Sequence, residues 1–292
     1  MNTPIRQHWV PKVFLKRFAI AGSGKRPAKA WRFDLRTEAV SCPSLGGLAV
    51  KRHLYTLKKS LEDDYSIETD FLQRIENGIG PTLDAYANGD DVSTDAEHRS
   101  KMATFLATLW LRNPGAIKMQ EDFTAAMIQS TTAAPDGTHV TKLDNIETVW
   151  SAEEWARFTT VGPDGMRQRF ARSIVSLAPE ISETLRRKPS WRLARADEGY
   201  FFTSDNPLIV KHPEAERWGL GTEGVDITIA ISPRYALYLG DRSTTSEGQV
   251  LALDKGVVES INYFTLTQAK AFLMSAHPFD DVLDMIQSVK QR

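Results

Sequence analysis

Apolar residues recur every three or four positions through most of the chain up to Lys188, and this spacing predicts amphipathic helices. One helix is expected after Thr94-Asp95-Ala96-Glu97, which has the pattern of a capping box. Ser151-Ala152-Glu153-Glu154 has the same pattern and predicts a second, shorter helix. Further helices are predicted at Ser66 to Tyr86, interrupted at Gly78, Gly80 and Pro81, at Ala116 to Thr132 and at Met166 to Arg187, with a polar connection at Thr131 to Asp144.

After Pro189 the pattern changes to short buried or alternating runs, which are typical of strands. These runs are Trp191 to Arg195, Tyr200 to Phe202, Leu208 to Val210, Asp226 to Ser232 and Tyr235 to Leu239. Thr267 to Ala276 and Asp280 to Val289 return to helical spacing. We therefore predict an α+β fold, with N-terminal and C-terminal helices packed on a mostly antiparallel sheet formed largely by residues about 190–240. No repeat or low-complexity linker divides residues 1–292, so one integrated domain is expected.

Composition is that of an ordinary globular protein and excludes several classes. Hydrophobic residues make up 41% of the 292 residues and charged residues 25%, and the net charge is -1. That charge creates no global field that would attract nucleic acid or anionic lipid. Cys42 is the single cysteine, so neither an internal disulfide nor a cysteine-rich zinc site is expected. Because there is no long apolar run and no signal-peptide core at the N-terminus, we expect a cytoplasmic protein without a membrane partner.

A polar cluster between two of the predicted strands is the first candidate site. Ser204, Asp205 and Asn206 lie between the apolar runs that end at Phe202 and begin at Leu208. Such residues are suited to binding or catalysis, but Ser, Asp and Asn also form ordinary turns by bonding to nearby backbone. Both interpretations stay open at this point.

Three ionisable residues elsewhere are also candidates. Arg112 projects from the apolar face of the helix that carries Phe105 and Leu109, so its guanidinium must find a carboxylate, an anion or backbone carbonyls. Glu76 lies at the edge of the preceding helical stripe and could be its structural partner. His8, just before the first short helix, is either a general base or metal ligand, or a polar ring that fixes the entry of the chain.

Several short segments occur in a distinctive order along the chain: Gln7-His8-x-Val10-Pro11 with Leu15 and Phe18, Leu54-Tyr55-Thr56, Ile75-Glu76, Leu111-Arg112-Asn113-Pro114, Phe202-Thr203-Ser204-Asp205-Asn206-Pro207 and Ile231-Ser232-Pro233. This series resembles the bacterial domain-of-unknown-function family DUF4238 from about Gln7 to about Ser275. The opening and the Thr-Ser-Asp-Asn-Pro segment are the most specific parts. Where the family often has Pro-Leu-Ser-Pro, this chain has Ala230-Ile231-Ser232-Pro233. The resemblance implies no reaction, but it groups the polar residues of these segments as candidates.

If the fold brings these segments together in one open pocket, their side chains suit hydrolysis of a phosphoester in a nucleotide or nucleic acid. His8 would be the general acid or base, Arg112 would stabilise developing negative charge, and Asp205 and Glu76 would act as base or hold Mg²⁺ or Mn²⁺. The predicted catalytic set is His8, Glu76, Arg112 and Asp205, and the predicted binding set is Gln7, Ser204, Asn206 and Ser232.

Two other hypotheses use the same residues. In the first, they form a non-catalytic pocket for a small anion or a protein partner. In the second, His8, Arg112 and Asp205 form a buried network that fixes the first helix on the sheet. If nucleic acid binds at all, the candidate surface is the basic side of the Met166 to Arg187 helix, with Arg167, Arg169, Arg172, Arg186, Arg187 and the adjacent Lys188.

Overall fold

The computed structural model describes residues 4–20, 27–59, 62–143, 146–212, 219–241, 248–280 and 283–290. Within these ranges the α-helices are α1 (Lys12–Leu15), α2 (Gln73–Asn88), α3 (Ala96–Leu111), α4 (Pro114–Gln129), α5 (Ala152–Thr159), α6 (Pro163–Arg186), α7 (Lys255–Gln268) and α8 (Leu283–Lys290). A π-helical segment, Ile67–Leu72, leads directly into α2. The α+β class predicted from the pattern is confirmed.

The strands in the described ranges are β1 (Arg6–His8), β2 (Trp31–Asp34), β3 (Val40–Ser41), β4 (Val50–Arg52), β5 (Leu57–Lys59), β6 (Glu62–Asp64), β7 (Thr131–Ala133), β8 (His139–Leu143), β9 (Ile146–Trp150), β10 (Ser190–Ala196), β11 (Thr203–Ser204), β12 (Ile209–Lys211), β13 (Asp226–Ala230), β14 (Tyr235–Gly240), β15 (Leu251–Leu253) and β16 (Phe272–Ser275). They form sheets with the orders β12-β13-β14-β10-β15, β11-β16-β2-β3 and β7-β8-β9, and the two-stranded pairs β1-β4 and β5-β6.

The five-stranded sheet is the one that the sequence predicts. Its pairs are antiparallel except for β10 with β15, and four of its strands lie between residues 190 and 240. Five of the seven residues of β10 are buried, and the other two, Arg192 and Arg195, are partly exposed. The strand predicted at Tyr200 to Phe202 is wrong, because the Phe202 N–H donates to the Asn262 side chain at 3.2 Å and the ladder begins only at β11.

The four-stranded sheet pairs strands from the N-terminal part of the chain with strands from its C-terminal part. It includes a segment for which the sequence-based prediction is wrong. Thr267 to Ala276 was expected to be helical, but α7 ends at Gln268 and β16 follows. All four residues of β16 are buried, and the strand pairs antiparallel with both β2 and β11. A run that is buried on both faces loses the alternation of a half-exposed strand, so spacing could not distinguish it from a helix.

Helix α2 continues through the position where a break was predicted. Pro81 lies inside it, with Gly78 and Gly80 also in helical conformation. The irregularity lies roughly two to four turns earlier, in the π-helical segment. Burial of Leu83 and Tyr86 against the main core offsets the cost of an internal proline, about 3 kcal/mol.

Two further local predictions have different outcomes. The Ser151 capping box is present at the start of α5, but at α3 the N-cap is Asp95, whose carboxylate accepts from the N–H groups of Glu97 and His98. The polar connection predicted from Thr131 is wrong over its described part, where β7 and β8 form a hairpin. Thr131 and Thr141 face each other in that hairpin and bond through their hydroxyls at 2.6 Å, so β-branched polar residues build the strand pair.

The main core lies between α1, α2, α3 and the five-stranded sheet. A second apolar cluster, which includes Tyr55, Leu72 and Phe170, lies between α6 and the π-helical segment. The end of α3 is shared, because Trp110 packs against both clusters. Within the described ranges, no helix combines the length and the apolar character needed to cross a membrane.

Candidate functional site

The opening segment is fixed to the following loop by Gln7. Its side chain is fully buried; its amide oxygen accepts from the Tyr55 N–H at 2.6 Å and its amide nitrogen donates to the Thr56 hydroxyl at 3.2 Å. Strand β1 pairs with β4, which continues into that loop. Gln7, a predicted binding residue, therefore has both ends of its amide engaged in holding the chain.

The Asp205 carboxylate holds the segment that connects α7 to β16. Its Oδ1 accepts from the backbone N–H groups of Lys270, Ala271 and Phe272 at 2.9, 3.1 and 3.4 Å. The residue is 1% exposed, and its backbone oxygen accepts from the Trp9 indole N–H at 3.1 Å. The structure thus brings the opening segment and the Thr-Ser-Asp-Asn-Pro segment together, but through Trp9 and not through the carboxylate.

The other polar residues of the later segments stabilise turns. Ser204 Oγ accepts from the Asn206 N–H at 3.1 Å, and Ser232 Oγ accepts from the N–H groups of Arg234 and Tyr235 where β13 turns into β14. Asn206 Oδ1 accepts from the Asn113 side chain, and its Nδ2 donates to the Gln268 carbonyl at 3.0 Å. These contacts match the turn interpretation of the sequence, and a binding role for Ser204 and Ser232 stays a prediction.

Arg112 is a buried cation with unused hydrogen-bonding capacity. It caps the C-terminus of α3 and is 1% exposed. Its Nη1 donates to Glu76 Oε1 at 2.8 Å, so the partnership expected from the sequence is present. Its Nε and Nη2 are buried and have no hydrogen-bond partner among the described residues. Nε and Nη2 form one edge of the guanidinium, the geometry that binds a carboxylate or a phosphate with two parallel hydrogen bonds.

Glu68, which the sequence analysis did not single out, lies beside this pair. Its pKa is raised to about 7, first by burial and then by the negative charge of Glu76, while the positive charge of Arg112 opposes the shift. Its Oε2 is buried and has no partner among the described residues. Glu68 precedes Glu76 by eight residues, about two helical turns, and this spacing was the available signal. The π-helical segment that carries Glu68 changes the register, and such segments are frequent at functional sites.

His8 faces the same charges from the opening strand. Its pKa is lowered to about 4, first by burial and then by the positive charges of Lys12, Arg6 and Arg112. The Nε2 atom is buried without a partner in the described part of the chain. The imidazole is therefore neutral near pH 7. It can accept or donate one hydrogen bond, and the role of His8 as general acid or base stays a prediction.

We call His8, Glu68, Glu76 and Arg112 the Arg112 cluster. Tyr55 lies against it, fully buried, with its hydroxyl donating to the His8 carbonyl at 3.4 Å. Burial raises the pKa of Tyr55 far above its usual range, with Arg112 opposing and the two glutamates adding to the shift. Near pH 7 the cluster thus contains one full cation, one carboxylate paired with it, and a second carboxyl group that titrates in the neutral range.

The predicted metal pair receives no support from these contacts. Glu76 is engaged by Arg112, and Asp205 by three backbone amides. No group of three or more His, Cys, Asp or Glu residues that could hold a metal ion occurs within the described ranges. Mg²⁺ or Mn²⁺ at Asp205 and Glu76 therefore stays a prediction, and no chemistry below is routed through it.

Much of the basic side of α6 is used within the protein. Arg167 donates to the carbonyls of His53 and Thr56, and Arg169 lies over the Phe158 ring at 4.8 Å. Lys188 is buried and bonds to both carboxylate oxygens of Asp241 at 2.8 Å. Arg186 and Arg187 both pair with Glu183. These contacts weaken the case for α6 as a nucleic-acid surface, because five of its six predicted cations already have partners.

Comparison with protein families identifies the class of the chain. The family model described as a protein of unknown function (DUF4238) matches residues 6–278, and the chain belongs to this family. No curated protein and no solved structure shows a significant match. The family description names no reaction, and the chemistry available to this chain is that of the Arg112 cluster.

Proposed function

We propose that this protein hydrolyses a phosphoester in a small anionic substrate, and that the Arg112 cluster is its active site. The observation that carries the proposal is the guanidinium of Arg112, which is 1% exposed and has two buried donors without partners among the described residues. A buried donor without a partner costs about 1–3 kcal/mol, and a phosphate oxygen bound there would remove that cost.

In the proposed step, Arg112 binds two non-bridging oxygens of the phosphoryl group through its Nε–H and Nη2–H. A water oxygen forms a bond to phosphorus, its proton passes to the Glu68 carboxylate, and the bond from phosphorus to the leaving oxygen breaks. The leaving oxygen takes its proton from solvent. Glu68 suits this role because a general base is most effective when its pKa lies near the working pH.

Glu76 and His8 have supporting roles in this proposal. Glu76 holds Nη1 of Arg112 at 2.8 Å and so directs the opposite edge of the guanidinium toward the substrate. Neutral His8 offers Nε2 as a hydrogen-bonding partner for the attacking water or for a phosphoryl oxygen. Asp205 and the serines of the turns take no chemical step here, because their oxygens already accept backbone N–H groups.

The direct test uses 4-nitrophenyl phosphate and bis(4-nitrophenyl) phosphate, each with and without Mg²⁺, Mn²⁺ or EDTA. The wild-type protein should release 4-nitrophenolate faster than buffer does. Arg112→Lys retains a cation for Glu76 but loses the two-donor edge, and should lower kcat/KM about a hundredfold. Arg74→Lys is the matched control on the exposed side of α2 and should leave the rate unchanged.

Two results would contradict this function. One is the absence of turnover of either ester under all metal conditions. The other is an Arg112→Lys variant with unchanged kcat/KM. If inorganic phosphate raises the Tm of the wild type and not of Arg112→Lys, while neither ester is cleaved, the cluster is a non-catalytic anion site, as in the alternative hypothesis of a pocket for a small anion.

A further inference from the structure

A separate cleft of about 600 Å³ opens beside the first turns of α4. Its walls come from the end of α3, the start of α4 and the segment after α7, and none of the residues of the Arg112 cluster lines it. The volume lies within the range typical of small-molecule sites, roughly 300–1,000 Å³. The cleft is therefore a candidate ligand site that is separate from the proposed active site.

The floor of the cleft is built from amides that hold one another in place. Asn206, one of the predicted binding residues, lines it together with Asn113 and Gln268. The Asn113 side chain donates to Asn206 Oδ1, and Asn206 donates to the Gln268 carbonyl. Asn113 also caps α4 by accepting from the Gly115 N–H at 2.7 Å. A floor fixed by this many hydrogen bonds is preformed, so a ligand would bind without first ordering it.

The sides of the cleft are apolar. Trp110 is half-buried, so part of its ring packs into the two apolar clusters and part lines the cleft. Met119 also lines the cleft and is 60% exposed, which is a large exposure for an apolar side chain. An indole and a flexible thioether form a surface that suits a flat aromatic body.

The charge at the rim is positive. Lys118 and Lys270 both line the cleft, and none of the described residues that line it carries a carboxylate. Lys118 also pairs with Asp122, a pair in which both side chains are mostly exposed and which solvent therefore weakens. Apolar walls below a positive rim select a ligand with an apolar body and a negative end.

We infer that this cleft binds a small aromatic anion, a planar ring system that carries a carboxylate or a phosphate. The ring would lie between Trp110 and Met119, and the anionic group would lie between Lys118 and Lys270. This site does not depend on hydrolysis at the Arg112 cluster, and either can fail without the other.

Isothermal titration calorimetry with two anionic probes, adenosine 5′-monophosphate and 2-naphthoate, tests the inference against their neutral counterparts, adenosine and 2-naphthamide. At least one anionic probe should bind, and its neutral counterpart should bind more weakly. Binding of the nucleotide only or of the naphthoate only would each support the site and identify its anionic group as phosphate or carboxylate. Lys270→Gln should raise the Kd about threefold, the effect of one exposed charge.

The decisive variants are a matched pair on α4. Met119→Glu places a negative charge on the wall and should raise the Kd at least about tenfold, while hydrolysis at the Arg112 cluster is unchanged. Phe123→Glu makes the same change one helical turn later, at a residue that is 49% exposed and does not line the cleft, and should leave the Kd unchanged. The inference is overturned if neither anionic probe binds, if the two glutamate variants behave alike, or if Arg112→Lys abolishes binding of the probe.

Discussion

Replacing Asp205 by alanine is expected to lower the free energy of unfolding by about 3 kcal/mol, because it removes the acceptor of three backbone N–H groups. The Phe272 N–H is buried, and water cannot replace the lost partner there. Asp205→Asn keeps an oxygen at the same position and should lose only about 1 kcal/mol. Urea denaturation followed by tryptophan fluorescence measures both values.

Asp122→Ala is the control, because that carboxylate is 63% exposed and its removal should change stability by less than about 0.5 kcal/mol. If Asp205→Ala is as stable as the wild type and has lost ester hydrolysis, Asp205 belongs to the catalytic set that the sequence predicts. A variant that is destabilised in parallel with the loss of the α7–β16 contacts supports the turn interpretation.

The sequence predicted the parts of the fold in which one face is buried and one exposed. Helix α6 and strand β13 alternate between buried and less buried residues, and their positions follow from that pattern. Strand β16 could not be found in this way, because all its residues are buried between two neighbouring strands that lie far away in the sequence. Its conformation depends on tertiary pairing with β2, and no local spacing records that pairing.

The candidate site was predictable in part for a similar reason. A guanidinium on an apolar helix face must have a partner, and Glu76 was one of the partners that this requirement suggested. The requirement did not show that two donors of Arg112 would have no partner among the described residues, since that depends on how many groups the fold places around the cation. Glu68 was missed although it precedes Glu76 by about two helical turns, because the π-helical segment that carries it changes the register and regular spacing alone did not show that the two carboxyl groups lie near each other.

Asp205 is a residue that the sequence identified but whose hydrogen-bond partners it could not predict. A Ser-Asp-Asn cluster between apolar runs is equally compatible with a site and with a turn. The distinction rests on three amide groups some 65 residues further along the chain, at Lys270, Ala271 and Phe272. A long-range hydrogen bond to backbone leaves no residue-type signal at its donor end, so the sequence could identify the carboxylate but not its partner.

The pKa of Glu68 leads to a prediction in which stability and activity change in opposite directions. Its folded pKa, about 7, lies above the ordinary value of 4.5, so the proton is bound more tightly in the folded state. The stabilisation from that proton is complete below about pH 4.5 and is lost as the pH rises through about 7. The loss amounts to at most about 3 kcal/mol, because one pKa unit corresponds to about 1.4 kcal/mol.

His8 has the reverse dependence. Its folded pKa, about 4, lies below the ordinary 6.5, so its contribution is present above pH 6.5 and is lost as the pH falls through about 4. The charges that lower the pKa of His8 are those of Lys12, Arg6 and Arg112. The charges that shift the pKa of Glu68 are those of Glu76, which raises it, and Arg112, which lowers it. Between about pH 4.5 and 6.5 the contributions of His8 and Glu68 to the free energy of unfolding change with pH in opposite directions, because folding releases a proton from His8 and binds one at Glu68.

Glu68→Gln should therefore be up to about 3 kcal/mol more stable than the wild type at pH 8, since it removes a carboxylate that burial disfavours. Its stability should rise with pH between about 4.5 and 6.5, where the wild-type profile is nearly flat, because the contribution of His8 is no longer opposed by that of Glu68. Its kcat for ester hydrolysis should be at least a hundredfold lower, roughly the contribution of a general base. The wild-type rate should increase with pH through about 7.

Asp70→Asn, an exposed change in the same π-helical segment, is the control for both measurements and should match the wild type in stability and rate. Urea denaturation at a series of pH values and rate–pH profiles would be recorded for all three proteins. A Glu68→Gln variant with wild-type activity removes Glu68 from the proposed mechanism. If its stability also matches the wild type from pH 5 to pH 8, the carboxyl group has no raised pKa, and the acid–base role of the Arg112 cluster fails with it. If the Glu68→Gln variant is more stable than the wild type but inactive, Glu68 is held in an energetically unfavourable environment because ester hydrolysis requires its carboxylate there.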